Sequence, residues 1–491
     1  MHLSALIEMV ESGLADRVLV GSGNDALTGE QLADRARRGA SLVEGAGAFV
    51  YAGENHPQLP VLALAAAWSG VPFVPVNYRL EDVQLAALVR RLENPMVVAD
   101  DRTASRLNAY GIDARTIGSW LHSTTEAPPL SVAAENEDDV AIVLYTSGTT
   151  AEPKAALLRH RHLMAYLLGA VEYASADPDE AVLISVPPYH IAGMANLLSN
   201  LFAGRRLVYL ENFSAAGWLQ RAREVSATHA MVVPTMLSRI VDALDAGDEP
   251  PMSLRSLSYG GSRTSPSILE RALRSLPNTG FVNAYGLTET ASTIALLGPD
   301  DHRAAIASDD PLIRRRLSSA GQLLPMVEAE IRDEDGQVVP AGEVGILFLR
   351  GEQIAGEYSS GSLLDADGWF CTRDHAFIDE DGFLFIEGRA DDTIIRGGEN
   401  IAPAEIEDVL TAHPAVGDAC VLGVPDDEWG QRIVAAVVLR PGATATPDEL
   451  RDFVAGRLRS SRSPERIDVV DDLPRTPTGK VLRRVLQSRF V

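Results

Sequence analysis

The sequence predicts an α/β protein in which a large N-terminal domain of doubly wound βα sheets carries a β subdomain and is followed by a small, mobile α+β C-terminal domain. Three observations predict it. Between Ala48 and Val233, short apolar β-rich runs alternate with stretches of helical period, the pattern of parallel sheets joined by crossover helices. Between Val327 and Ile386 that alternation gives way to short strands punctuated by Asp-Gly turns. Beyond the polar link Gly388-Arg389-Ala390-Asp391-Asp392, helices and strands resume in a new mixture.

Taken in order, Ala48–Tyr51, Phe73–Val76 and Met96–Ala99 read as strands, with Leu85–Leu92 as a helix between the second and third. Val182–Val186, Arg206–Leu210 and Ala230–Val233 read as strands of the same kind, and Trp218–Val225 as a helix. In such sheets ligands sit beyond the carboxyl ends of the strands, so the loops there are where chemistry is expected. Asp335-Gly336, Asp367-Gly368 and Asp381-Gly382 favour tight hairpin turns and define the β subdomain, about 327–388. After the link, Ala404–Leu410 and Pro447–Leu458 read as helices, and Ala419–Val424 and Ile433–Leu439 as strands. The expected division is 1–388 and 389–491, a second domain of ordinary size.

With 491 residues, 46% of them hydrophobic and 23% charged, the chain can fill more than one core. A net charge of −25 opposes binding to nucleic acid or to anionic membrane surfaces, and polyanionic substrates need local cations. From Arg440 onward eleven Lys/Arg face seven Asp/Glu, a basic balance that suits phosphate but equally a solvated helix face. Cys371 and Cys420 form no disulfide framework, and Met1–Val20 lacks the basic start and apolar block of a signal peptide, so a cytoplasmic location is expected. The charge-free stretches Asn55–Tyr78 and Ala181–Gly204 are broken by prolines and read as buried helices and strands, with no membrane insertion.

Chemistry begins at Tyr145-Thr146-Ser147-Gly148-Thr149-Thr150-Ala151-Glu152-Pro153-Lys154, directly after the apolar run Val140–Leu144. Gly148 permits close backbone approach, Thr146, Ser147, Thr149 and Thr150 supply hydroxyls, and Lys154 a cation, so the loop can fold around phosphate. It lacks the Gly-Lys-Ser/Thr of a Walker loop, and taken alone a polar surface loop is also compatible. Four later segments follow in order: Asn283-Ala284-Tyr285-Gly286-Leu287-Thr288-Glu289-Thr290; Trp369 to Asp374; Gly388 to Asp392 running into Arg396 to Glu407; and Pro474-Arg475-Thr476-Pro477-Thr478-Gly479-Lys480. Together with Gly70–Leu80, these segments resemble the ordered motifs of the adenylate-forming superfamily of acyl-CoA synthetases, peptide-synthetase adenylation domains and luciferases, and the resemblance spans nearly the whole chain.

The resemblance implies a two-step reaction: a carboxylic acid attacks the α-phosphate of ATP to give an acyl adenylate and pyrophosphate, and a thiol then displaces AMP. It implies that Thr146 to Lys154 cover the β- and γ-phosphates, that Glu289 holds Mg²⁺ with Thr288 on phosphate, and that Gly260-Gly261-Ser262 and Asn283-Ala284-Tyr285 sandwich adenine. A hard cation bridging phosphates favours a carboxylate ligand. It further implies Asp374 on the ribose hydroxyls, Arg389 on the nucleotide, Asp391 as hinge, and Lys480 on the carboxylate and α-phosphate oxygens. Arg396-Gly397-Gly398 would admit the thin arm of CoA, and Gly-Gly-Glu-Asn-Ile is more like CoA ligases than the other branches. Pro188-Tyr189-His190 resembles the segment whose histidine closes an acyl pocket, which would include His190, Ala192, Gly193 and Gly260; the small side chains suggest a bulky cyclic, aromatic or branched acid.

Three departures matter. Ala151 and Ala155 replace glycines in the phosphate loop, and Arg373 replaces the glycine of Thr-Gly-Asp. The leading expectation is an AMP-forming acyl-CoA ligase. A ligase confined to thioesterification of an adenylate made by a partner enzyme, an enzyme that loads a carrier protein, and a non-catalytic nucleotide- or acyl-binding protein stay open.

Overall fold

The computed structural model describes residues 1–23, 26–146, 153–396, 399–426, 429–440, 442–459, 462–476 and 479–490. Among these, a nine-stranded sheet has a parallel centre in which Gly280–Leu287, Ser256–Gly260, His229–Val232, Ala181–Ile184, Arg206–Tyr209 and Val18–Val20 lie side by side. Ser292–Leu297 and Leu27–Thr28 pair antiparallel with its two flanks. A second, eight-stranded sheet is parallel from Val140–Thr146 through Phe73–Pro75, Ala48–Ala52 and Pro95–Ala99 to Ala114–Thr116. The doubly wound reading therefore holds, with antiparallel strands added at the edges.

The two charge-free stretches explain how the sheets are joined. Helix Leu59–Ser69 is buried from Leu59 to Trp68, and helix Ile191–Ala203 buries ten of its thirteen residues. A helix apolar on every side must be covered on every side, and both belong to one core with strand residues such as Phe49 and Ile184 from the two sheets. Among the described residues, no helix is long and apolar enough to cross a membrane.

Glu328–Arg332, Gly345–Arg350, Phe370–Ile378 and Leu384–Arg389 form a separate four-stranded antiparallel sheet, the expected β subdomain. All three Asp-Gly pairs sit at its reversals or beside them, with Gly336, Gly368 and Gly382 at φ of 80°, 82° and 81°. After Arg389 comes a short 3₁₀ turn, Ala390–Asp392, then a hairpin and a three-stranded sheet of Val416–Asp426, Gly430–Leu439 and Arg466–Val469. Helix Pro403–Thr411 packs on that sheet, and helix Pro447–Ala455 starts at a capping box between Thr446 and Glu449. This unit has its own core, centred on Ile406, Val421, Ile433 and Leu450.

Candidate active site

Asp374 owes its position to a bulge. Cys371 pairs with Phe348 and His375 with Ile346, so Thr372, Arg373 and Asp374 face a single residue on the neighbouring strand. Arg373 takes the strain, at φ 61° with its side chain exposed. This left-handed backbone favours glycine, and an arginine holds it at a cost. Thr372 pins the bulge: its hydroxyl donates to the Leu347 carbonyl at 2.8 Å and accepts from the Asp374 amide at 3.0 Å.

Asp374 then points into a cleft of about 940 Å³ between the sheets and the segment after Arg389. The Tyr285 hydroxyl donates to its carboxylate, and Arg389 Nε lies 3.1 Å from its other oxygen. Arg389 also donates to the Thr372 carbonyl at 2.7 Å, so one guanidinium ties the bulge to the end of the last sheet strand. Burial pushes the Asp374 carboxyl up, against the pull of Arg389, Tyr285 and Lys480. Burial and the Asp374 charge hold the Tyr285 phenol far above its ordinary range.

The back of the cleft is the pair of strands ending in Gly260 and Leu287. Gly260 is opposite Ala284, and a Cβ there would lie 2.2 Å from the Ala284 carbonyl oxygen, so the close register requires glycine. Asn283 donates to the Ser319 carbonyl at 2.9 Å. Gly261, Ser262, Asn283, Ala284 and Tyr285 all line the cleft.

Lys480 reaches the same cleft from the far side. Its loop closes on itself, with the Thr476 amide donating to the Lys480 carbonyl at 2.8 Å and the Lys480 amide to the Thr476 hydroxyl at 3.1 Å. Arg475, paired with Asp418, donates to the Gly479 carbonyl. The Lys480 side chain is open to solvent within the cleft. Desolvation by the enclosing walls and the charge of Arg389 lower its pKa, while Asp392 and Asp374 oppose the shift.

Beside this group, Thr146 pairs with Lys154 where two antiparallel strands meet; Ser147, Gly148, Thr149, Thr150 and Ala151 lie outside the described residues. Lys154 is exposed. Ala155 is in a regular ladder opposite Tyr145, where alanine fits without strain. Glu289 and Thr288 stand on the short 3₁₀ turn Thr288–Thr290. The Tyr358 hydroxyl donates to Glu289 and lies 3.3 Å from the Thr146 hydroxyl. Burial, together with Glu289, pushes the Tyr358 phenol up to about 12.

Other expected residues stand apart. His190 directly precedes helix Ile191–Ala203, beside Tyr189, and is absent from the lining of the 940 Å³ cleft. Its buried Nε2 has no hydrogen-bond partner among the described residues, and burial with Arg79 brings its pKa to about 4, so the ring is neutral. Gly193 is small for a packing reason: a Cβ would lie 2.3 Å from the Pro187 carbonyl oxygen, which removes this residue from the argument for a wide pocket. Ala192 packs against an apolar core and is itself absent from that lining. Arg396 pairs with Glu465 at 2.6 Å away from the cleft, Asp391 is exposed on its 3₁₀ turn, and Gly397 and Gly398 lie outside the described residues.

Sequence reading missed Tyr358, which belongs to none of the motif segments, and the ion pair Arg263–Asp408, whose partners are 145 residues apart. Hydroxyl spacing around Glu289 could not have revealed a phenol arriving from another strand.

Comparison with known proteins gives a consistent result. The family model described as AMP-binding enzyme matches residues 10–359, and that described as AMP-binding enzyme C-terminal domain matches residues 405–480. The chain is 32% identical to a fatty acid–[acyl-carrier-protein] ligase, ScoC, from Streptomyces coeruleorubidus, over 94% of this chain and 92% of that one. It is 31% identical to a feruloyl-CoA synthase from an Amycolatopsis species, over 96% and 95% of the two chains. Among solved structures it is similar to the amide bond synthetase McbA from Marinactinospora thermotolerans, with a TM-score of 0.86 at 27% identity over 99% of this chain and all of that one.

Proposed function

The chain belongs to the AMP-binding enzyme family, and on that premise we propose that it is an ATP- and Mg²⁺-dependent ligase that converts a carboxylic acid to an acyl adenylate and passes the acyl group to CoA. The observation that carries this reading is the meeting of Asp374, Tyr285, Arg389 and Lys480, from three distant stretches of chain, on one cleft.

In the first half-reaction a carboxylate oxygen bonds to the α-phosphorus of ATP and pyrophosphate leaves. Asp374, an acceptor-only carboxylate, is suited to both ribose hydroxyls, and the peptide groups around Gly260 and Ala284 to the face of adenine. Lys480 and Arg389 supply positive charge where the transferring phosphoryl group gains negative charge. In the second half-reaction the CoA sulfur bonds to the acyl carbon and AMP leaves.

Glu289 offers a hard oxygen ligand, steadied by Tyr358. Among the described residues no three His, Cys, Asp or Glu side chains gather as a metal cage. Bound there, Mg²⁺ would offset phosphate charge.

A carrier-protein thiol is the second reading, favoured by the ScoC relative. The test offers ferulate, a long-chain fatty acid, branched acids and slim short acids with ATP and Mg²⁺, followed by CoA, a phosphopantetheinylated carrier protein or an amine, with products read by mass spectrometry. Thioester on CoA from a bulky acid is expected. Turnover of slim straight-chain acids alone would remove the bulky-acid reading. Product only from synthetic adenylates would assign a thioesterification-only enzyme, and product from neither would leave a binding protein.

A further inference from the structure

One loop of the N-terminal sheet carries both expected adenine contacts and a hold on the far wall of the cleft. Directly after Gly260-Gly261-Ser262, Arg263 pairs with Asp408 and the Ser265 hydroxyl donates to the Thr411 hydroxyl at 3.3 Å. Asp408 and Thr411 are three residues apart on helix Pro403–Thr411, hence on one face.

From that helix a continuous set of contacts leads to Lys480. Glu407, next to Asp408, accepts from the Val421 amide at 2.9 Å and so fixes the helix to strand Val416–Asp426. The same strand carries Asp418, which pairs with Arg475, and Arg475 donates to the Gly479 carbonyl. Gly479 in turn lies against Thr235 of the opposite wall, where a Cβ would come within 2.5 Å of the threonine hydroxyl.

We propose that Arg263, with Ser265, is a positioning residue for adenylation: it docks helix Pro403–Thr411 so that Lys480 faces Asp374 across the nucleotide. The proposal rests on the reading of Lys480 given above. Both side chains of the pair remain about one-third exposed, at 36% and 32%. Pairs of that exposure are individually weak, which suits a contact that must break if CoA is to reach the acyl carbon. Because Arg263 directly follows Ser262, nucleotide contacts and docking share one backbone segment.

The first test needs no substrate. In the full-length enzyme carrying Ser265→Cys and Thr411→Cys, the rate of disulfide formation, identified by peptide mass spectrometry, reports how often the two elements meet. Adding Arg263→Ala should slow it by about 1.5- to 5-fold, the range expected for a single partly exposed charge pair; equal rates would overturn the proposal. Exchanging the charges in Arg263→Asp with Asp408→Arg should restore the rate, which a merely structural role would not.

The second test separates the half-reactions with the acid of highest turnover from the panel above. Arg263→Ala and Asp408→Ala should each slow pyrophosphate exchange by the same factor and leave transfer from a supplied adenylate to CoA unchanged or faster. Loss confined to Arg263→Ala with a raised KM for ATP would assign a local nucleotide contact and overturn docking. Lys480→Ala is the control: if it leaves exchange intact, the role of Lys480 falls, while the cross-linking rate still decides whether Arg263 docks the helix.

Discussion

The wall of the cleft built by residues before Arg389 is held by backbone. Gly260 and Ala284 are locked in strand register, Asp374 is aimed by a bulge within a four-stranded sheet, and Tyr285 lies on the same ladder as Asn283. The opposite wall has its own backbone ladder but meets the first through side chains: Arg263 on Asp408 and Ser265 on Thr411. Backbone ladders break only with local unfolding, whereas side-chain pairs at a surface exchange readily for water. One wall is thus suited to hold a nucleotide in a fixed place, and the other to be put in place and withdrawn.

The strongest way to break this comparison is to remove the charge on the withdrawable wall. Lys480→Ala is expected to lose about 10²-fold or more in adenylate formation, as for the loss of one transition-state donor, and to keep transfer from a supplied adenylate. Parallel measurement of pyrophosphate exchange and CoA thioester formation checks this, and equal losses in both would contradict it.

The fixed wall should fail through stability instead. In Gly260→Ala the new methyl group meets the Ala284 carbonyl, and the strands must part; overpacking of this kind costs about 1–3 kcal/mol. Thermal unfolding should shift downward, and both half-reactions should weaken together.

Acid should distinguish the two parts as well. Burial brings His160 to about 3 and His162 and His190 to about 4, all before Arg389. Each is neutral in the fold, while an unfolded chain takes up the proton near 6.5. Stability from these groups is full above that pH and is lost as pH falls from 6.5 toward 4. Beyond Arg389, burial raises the Asp408 and Asp418 carboxyls, so the folded state binds their protons more readily and the sign is opposite as pH approaches 3.8. Hydrogen exchange read by peptide between pH 7 and 4 should show the N-terminal sheets loosening first. His160→Gln should flatten the slope.

The smallest expected effect is a gain. Arg373→Gly relieves a left-handed residue and should stabilise by about 1 kcal/mol or less, measured by denaturant unfolding. If adenylation also rises, Arg373 obstructs the nucleotide; no change in rate would leave it a surface substitution.

Much of the fixed wall is legible in the sequence because its strands are short apolar runs and the residues expected at the nucleotide lie in contiguous motifs. Ala48–Ala52, Arg206–Tyr209 and His229–Val232 lie where alternation predicts strands, and Tyr285 and Asp374, from two of the motifs, meet in the structure. The side-chain wall is less legible. Arg263, Asp408, Ser265 and Thr411 are ordinary polar residues on separate elements, and only the packing of those elements gives them meaning. His190 illustrates the converse: its motif is plain, yet it is absent from the lining of the main cleft and its Nε2 is buried. Gly193 has a local steric cause that composition cannot distinguish from a pocket wall.

Arg389 touches the carboxylate expected at the ribose and is also the last residue of its strand, two positions before exposed Asp391. Anything that occupies the cleft beside Asp374 therefore adjoins the short turn that leads into the C-terminal unit. Linkage then makes the effect mutual: a nucleotide that favours one setting of the linker is itself bound more tightly in that setting, by the same factor. On the proposed function, ATP, the acyl adenylate and AMP present different charge to Arg389, and each would weight the settings of that turn differently.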